Sequence, residues 1–360
     1  MDGHPTYSAQ VRSQVSTPLL DLAPAVPAAV PADGATPVGR ARGRLVRRIT
    51  RLATVVISVG ALAILLRRVD LPASVRTAAA EPWPALAAAV AVNAVATWLR
   101  AARSQTVLNA LGHRVNRLRM MGTQLAGQTL SWVSPAAAGD FVRPYLWRSH
   151  DGVPLTPGVV TVLYERIFSF GQLMVLGAVC LAPSVLGGAA LAAAVAGAVC
   201  LLTLPWLVPR LGRAVAEAVE RRGAGGWRSR LALAAGRLWR LAGDGRLTLR
   251  FTILTVAVVA ASAVQIEVLG AGVGVALPIW TAAAAYTLSQ VIGSASSLPF
   301  GLGPADAVLI ALLVHAGAGP AGALAITLLT RLTVTLPLGL AGALAYLRLG
   351  RPTPARLPVR

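Results

Sequence analysis

The sequence predicts an all-α integral membrane protein with about seven to eight transmembrane helices, one or two re-entrant broken helices and two structural half-repeats. Three observations carry this. Of 360 residues, 56% are hydrophobic and 13% charged, about half the charge of a soluble domain. Residues 167–209 hold no charge over 43 positions, about 65 Å of helix or two bilayer cores. A Ser/Gly/Pro-rich break, then an aspartate, then an arginine, occurs twice in the chain.

The elements follow in order. Residues 1–39 are rich in Pro and Ala, with no sustained apolar period, and read as a disordered cytoplasmic tail. The membrane region is expected over 40–350. It opens with six arginines between Arg40 and Arg51 and a first span at about 49–66. A second span is expected at 83–102, then an interrupted apolar stretch at 118–140 with Gly127, Ser134 and Pro135. A third span starts near 159. The uncharged run is divided by Pro183 and Gly187-Gly188 into a hairpin of two spans. Residues 209–250 carry ten arginines against three acids and read as a basic amphipathic loop on an anionic leaflet. Spans at about 251–269, 278–298 and 321–347 follow, with a short run at 304–317 that either spans or re-enters. Residues 351–360 form a second cytoplasmic tail.

Loop charge orients the chain. The strongly positive segments are 40–51 (+6), 100–119 (+5), 209–250 (+7) and 348–360 (+4). All fall on the cytoplasmic side if both termini are inside and 118–140 enters and leaves by one face. Broken backbone at membrane depth persists only where protein or a wet cavity covers it.

Asp140 to Asp306 is 166 residues, Arg166 to Arg331 is 165, and Pro135 to Pro299 is 164. Duplicated halves with interrupted helices are a signature of transporter folds. The sequence leaves open whether the halves are parallel or inverted.

Charges inside apolar runs are expensive and face cavities or partners. Arg331 lies about ten residues into its run, and Asp306 is the nearest acidic candidate. It reads either as a lining residue or as half of a structural ion pair. Glu165 and Arg166 lie about 10 Å into the third span and point about 100° apart. Both line a wet groove, or Arg166 pairs with Asp140. Asp140 and Arg143 flank the exit of the break, where a helix start favours an anionic group such as a phosphate; a capping aspartate with an interfacial arginine is the alternative. Asn93, Gln265, Glu267 and Gln290 read as interhelical hydrogen-bonding residues. Trp83, Trp98, Trp206 and Trp280 read as interfacial anchors at span ends. Arginine supplies all 33 basic residues, which leaves no lysine for Schiff-base or P-loop chemistry. Cys180 and Cys200 sit in apolar runs as small hydrophobes. His113, His150 and His315 lack metal-ligand spacing. No metal, cofactor, catalytic residue or nucleic-acid partner is expected. A net charge of +20 among apolar runs points instead to anionic lipid.

Certain residues carry a resemblance. Pro135, Gly139, Asp140 and Arg143 come first, followed by Val162-Leu163-Tyr164-Glu165-Arg166-Ile167. Leu298-Pro299-Phe300-Gly301-Leu302-Gly303 with Asp306 comes third, and Leu328-Leu329-Thr330-Arg331 last. Together, over about 50–347, they resemble the lysylphosphatidylglycerol synthase transmembrane family, also called the flippase-like domain family. That family usually has Glu where Asp140 and Asp306 stand, often Gly at Phe300, and an acid at Ser169. The resemblance implies a membrane domain that moves a lipid between leaflets. The lipid it implies is an anionic or aminoacylated phospholipid, a polyprenol-linked one or another lipid, and the resemblance does not choose among them. It implies a substrate pathway along Asp140, Arg143, Glu165, Arg166, Pro299, Gly301, Gly303, Asp306 and Arg331.

The expectation is therefore a multi-pass plasma-membrane lipid flippase. No catalytic signature or sizeable extramembrane segment marks an enzyme. The alternative is a non-transporting accessory or scaffold protein for a lipid- or envelope-modifying enzyme. An intramembrane lipid-modifying enzyme is a third possibility.

Overall fold

Apolar surroundings cannot satisfy backbone polar groups, so a chain this hydrophobic must satisfy them within its own segments, as helices do. The computed structural model describes residues 71–133, 139–185, 196–197, 236–295 and 303–349. Among them there are helices and turns but no strand. The elements are α1 (Leu71–Ala79), α2 (Trp83–Ala110), α3 (Arg117–Val133), α4 (Val142–Asp151), α5 (Leu155–Val185), α6 (Gly245–Gly272), α7 (Ile279–Ala295), α8 (Pro304–His315), α9 (Pro320–Thr330), a π-helical turn (Arg331–Thr335) and α10 (Leu336–Leu349).

Four stretches are long and apolar enough to cross a membrane: Trp83–Ala110, Leu155–Ala182, Gly245–Gly272 and the continuous Pro320–Leu349. They correspond to the expected spans at 83–102, near 159, 251–269 and 321–347. Each is longer than its apolar core because polar residues continue the helix. α2 runs past Arg100 and Arg103 to Ala110, so those two arginines belong to a helix rather than to a loop. α6 begins earlier than expected, at the cap Asp244, whose carboxylate accepts from the N–H groups of Arg246 and Leu247 at 3.0 and 3.1 Å. Trp98 sits well inside α2 rather than at its end, although its ring is exposed. The expected span at 278–298 appears as the 17-residue α7 and the run at 304–317 as the 12-residue α8. The first expected span, the second half of the hairpin, the tails, Trp206 and most of 209–250 lie outside the described residues.

One order of elements occurs twice. A long helix, a 17-residue helix, a break, a short helix and a second long helix make up α2–α5; the same order makes up α6–α10. The helix closures correspond as well. Gly112 ends α2 with φ 82° and Gly274 ends α6 with φ 79°. Gly152 and Gly317 end α4 and α8 with φ 66° and 95°. In each case an N–H just beyond the glycine bonds back into the last turn, as His113 does to Leu108 O at 3.0 Å and Ala318 to Leu313 O at 3.0 Å.

Packing between the two runs is reciprocal. α2 lies along α6, α3 packs on α10, and α7 packs on α5. Two of the apolar cores follow the runs. One joins Ala101 and Leu108 to Met120, Trp147 and Val162. The larger joins Ile266 and Leu269 to Ala282, Ile310, Leu313 and Ile326. α3 and α10 approach closely at Gly342, where an added Cβ would lie 2.5 Å from Leu125 O. The opposite face of α10 carries Leu336, Leu340, Leu344 and Leu347, all more than half exposed. A continuous leucine stripe of this kind is stable against acyl chains and unfavourable in water.

Candidate functional site

The two breaks and the long helices after them deliver charge to one place. A cavity of about 390 Å³ lies between the two runs. It is lined by Arg100 and Arg103 of α2, Asp140 and Arg143 beside the first break, Glu165 and Arg166 of α5, Asp306 of α8 and Arg331 at the π turn. Its volume falls in the range of small-molecule sites, about 300–1,000 Å³.

Three carboxylates meet three arginines. Asp140 accepts from Arg166. Asp306 Oδ1 accepts from Arg331 Nε at 3.0 Å and Nη2 at 2.7 Å. Asp306 Oδ2 also accepts from the Gly303 N–H at 3.4 Å, which ties the pair to the start of α8. Glu165 accepts from Arg143 Nη1 at 2.8 Å and Nη2 at 3.4 Å. So Glu165 and Arg166, adjacent in sequence, turn to different partners, as their angular separation requires.

The pairs differ in wetness. The Asp140 and Arg166 side chains are 21% and 33% exposed, and those of Asp306 and Arg331 12% and 29%. Arg143 and Glu165 are 2% and 8% exposed. Arg143 is further held by Ser104 Oγ at 2.5 Å and by the Trp147 ring, whose centroid lies 5.0 Å from the guanidinium carbon. Its stem passes Gly127, where a Cβ would lie 2.5 Å from Cγ and Cδ. This pair is packed into the protein, whereas the other two stand at the cavity wall.

The π turn has a visible support. Thr333 within it accepts from Gln265 Nε2 at 3.1 Å through its hydroxyl and from Asn93 Nδ2 at 3.5 Å through its carbonyl. These two side chains come from the paired long helices α6 and α2. π turns interrupt α-helices frequently at functional sites, and here the interruption starts at Arg331.

Among the residues singled out from sequence, Asp140, Arg143, Glu165, Arg166, Asp306 and Arg331 line the cavity. Gly303 stands beside it as the cap of α8, with φ 94°. Pro299 and Gly301 lie outside the described residues. The sequence reading missed Arg100 and Arg103, which it counted as loop charges, and it treated the cavity residues Asn93, Gln265 and Gln290 as ordinary helix-packing residues. The missed arginines carry a signal: they stand three apart, on one face of the same helix.

Long apolar helices, lipid-compatible outer faces and a charged interior cavity define a polytopic helical membrane protein. Residues 51–342 match the family model described as the lysylphosphatidylglycerol synthase TM region, and the chain belongs to that family. Glycosyltransferase AglD of Haloferax volcanii is similar to it, 36% identical over 128 residues, or 35% of this chain. The shared stretch spans 20% of the relative's length.

Proposed function

We propose that this protein moves a lipid between the leaflets of the plasma membrane. The observation that carries this reading is the charged cavity between the two runs. Placing so many ionised groups among membrane helices is unfavourable unless they pair with one another or face a water-filled cavity, and such groups mark substrate pathways. In this reading the two runs are half-repeats, 118–140 is re-entrant, 304–317 spans or re-enters, and both termini and residues 209–250 face the cytoplasm. The headgroup passes the cavity wall at Asp140–Arg166 and Asp306–Arg331 while the acyl chains stay in the bilayer. Arg143–Glu165 ties α4 to α5. The chain performs no chemistry on the lipid. The glycosyltransferase name of the archaeal relative is compatible with a lipid that carries a sugar.

The test is a leaflet-exposure assay in proteoliposomes with fluorescent lipids of several headgroups. Transfer of at least one lipid faster than in empty vesicles supports the reading. The empty-vesicle rate for the whole panel contradicts it.

A second reading has one observation in its favour: the three ion pairs are already satisfied within the fold. In it the protein is an accessory or scaffold for a lipid-modifying enzyme and the charges are structural. Replacing Asp306 and Arg331 together separates the two. A scaffold keeps its fold and its association with the enzyme, and a transporter keeps its fold and loses transfer.

A further inference from the structure

The three carboxylates of the cavity are each taken by one arginine, and this leaves two arginines over. Arg100 Nη2 donates to the Tyr286 hydroxyl at 2.9 Å, and its Nη1 is buried with no hydrogen-bond partner among the described residues. Arg103 Nη1 reaches Thr255 Oγ1 at a long 3.4 Å, its guanidinium carbon stands 5.0 Å from the Phe251 ring centroid, and its Nε is buried with no hydrogen-bond partner among the described residues. Among the described residues neither has a carboxylate within ion-pair distance. Both line the cavity.

The fold does not require this pair of charges. If α2 and α6 are aligned from their first residues, Trp83 and Gly245, the two 28-residue helices correspond along their length. Ser262 and Gln265 then occupy the places of Arg100 and Arg103. The corresponding helix is built with neutral residues there, and both of them line the same cavity. Two neighbouring guanidinium groups with no carboxylate paired to them at membrane depth are unfavourable. Guanidinium forks match phosphate oxygens in geometry as well as charge.

We propose that Arg100 and Arg103 form the seat for a phosphate group and that the lipid carried is one with a net negative headgroup. This deepens the transport reading and rests on it. Five arginines against three carboxylates give the described cavity an excess of two positive charges. A phosphate monoester carries about −1.5 to −2 at neutral pH, which balances that excess; a diphosphate or a phosphodiester with an uncharged substituent carries the same sign. A zwitterionic headgroup leaves the excess uncompensated. An aminoacylated headgroup with cationic amines adds to it. The geometry thus selects against the aminoacyl-phospholipids that the resemblance allowed.

The test is ligand-dependent thermal unfolding of the full purified chain in a neutral detergent. The probes are short-chain phosphatidic acid, phosphatidylglycerol and phosphatidylcholine, with inorganic pyrophosphate as a separate, lipid-free arm. Phosphatidic acid and phosphatidylglycerol should raise the unfolding temperature, less so at high ionic strength, and phosphatidylcholine should not. Arg100→Gln with Arg103→Gln should weaken the anionic-lipid response at least tenfold in apparent affinity. Arg100→Lys with Arg103→Lys preserves charge and should retain part of the response, which covers the case of a glutamine variant that fails to fold. Competition by pyrophosphate assigns recognition to the phosphate itself; its absence beside a variant-sensitive lipid response assigns recognition to phosphate held with its chains. An equal response to phosphatidylcholine, no response to any probe, or an anionic response unchanged in both double variants overturns the proposal. The readout is binding, so loss of leaflet transfer with selective binding intact contradicts transport and leaves the seat standing.

Discussion

Glu165→Gln tests whether Arg143–Glu165 is the packed ion pair of the site. The substitution keeps the shape and removes the charge that holds Arg143, whose side chain is 2% exposed. Arg143 would keep the Ser104 hydroxyl and the Trp147 face, neither of which neutralises it. Removing one partner of a buried pair costs about 3–5 kcal/mol. The corresponding loss at Asp306→Asn should be smaller, about 1–2 kcal/mol, because Arg331 is 29% exposed. With about 2–4 °C per kcal/mol for a large domain, Glu165→Gln should unfold roughly 6–20 °C below wild type. Asp306→Asn should fall roughly 2–8 °C. The assay is thermal unfolding in one detergent, followed by intrinsic tryptophan fluorescence and checked by size-exclusion chromatography. Arg143→Met combined with Glu165→Leu should recover much of the loss, because no charge is then stranded. A Glu165→Gln protein that melts within 2 °C of wild type, or that is more stable than Asp306→Asn, refutes the reasoning.

Gly342→Val should lower the unfolding temperature by the equivalent of about 1–3 kcal/mol, because the new side chain meets the α3 backbone at Leu125; Gly171→Ala, with nothing within 4 Å of the added Cβ, should be neutral or mildly stabilising. Glu81, in the turn before α2, is buried with no hydrogen-bond partner among the described residues for either carboxylate oxygen, and burial raises its pKa from 4.5. Ionising it therefore opposes folding, so its contribution should lower stability as pH rises from below 4.5 through the raised value. In Glu81→Gln, unfolding temperatures measured between pH 4 and 8 should lack that decline, and an identical pH profile in both proteins counts against it. Cysteines placed in 209–250 should react in intact cells with membrane-permeant thiol reagents and not with impermeant ones; impermeant labelling there reverses the proposed orientation.

The charged half of the site was legible because charge is rare in this chain. With eight aspartates in all, two spaced like two membrane arginines stood out, and both now pair with those arginines. Arg100 and Arg103 were hidden by the rule that found the spans. An apolar run ends where charge begins, but α2 continues for ten residues beyond Arg100 because its polar face lies against α3 and α6 instead of lipid. Ser104, for example, meets Arg143, and Gln105 reaches the Val115 carbonyl at 2.7 Å. The same logic shifted Trp98 from a helix end to its interior. Asn93 and Gln265 gave no sign of their role, since what they support is a π turn that no local pattern marks. The paired helix-ending glycines, 152 with 317 at the spacing of the charges and 112 with 274 a few residues closer, were the unused signal.

The most direct measurement of the central claim is leaflet transfer by the charge-pair variants in proteoliposomes. Wild type, Asp306→Asn/Arg331→Gln and Asp140→Asn/Arg166→Gln are reconstituted at equal density with a fluorescent phosphatidylglycerol. Each preparation is first shown to be folded by its unfolding transition. Transfer by wild type above empty vesicles, with at least a tenfold loss in both folded double variants, is the predicted result. Folded variants that transfer lipid at the wild-type rate would show that the charged cavity is not the lipid path.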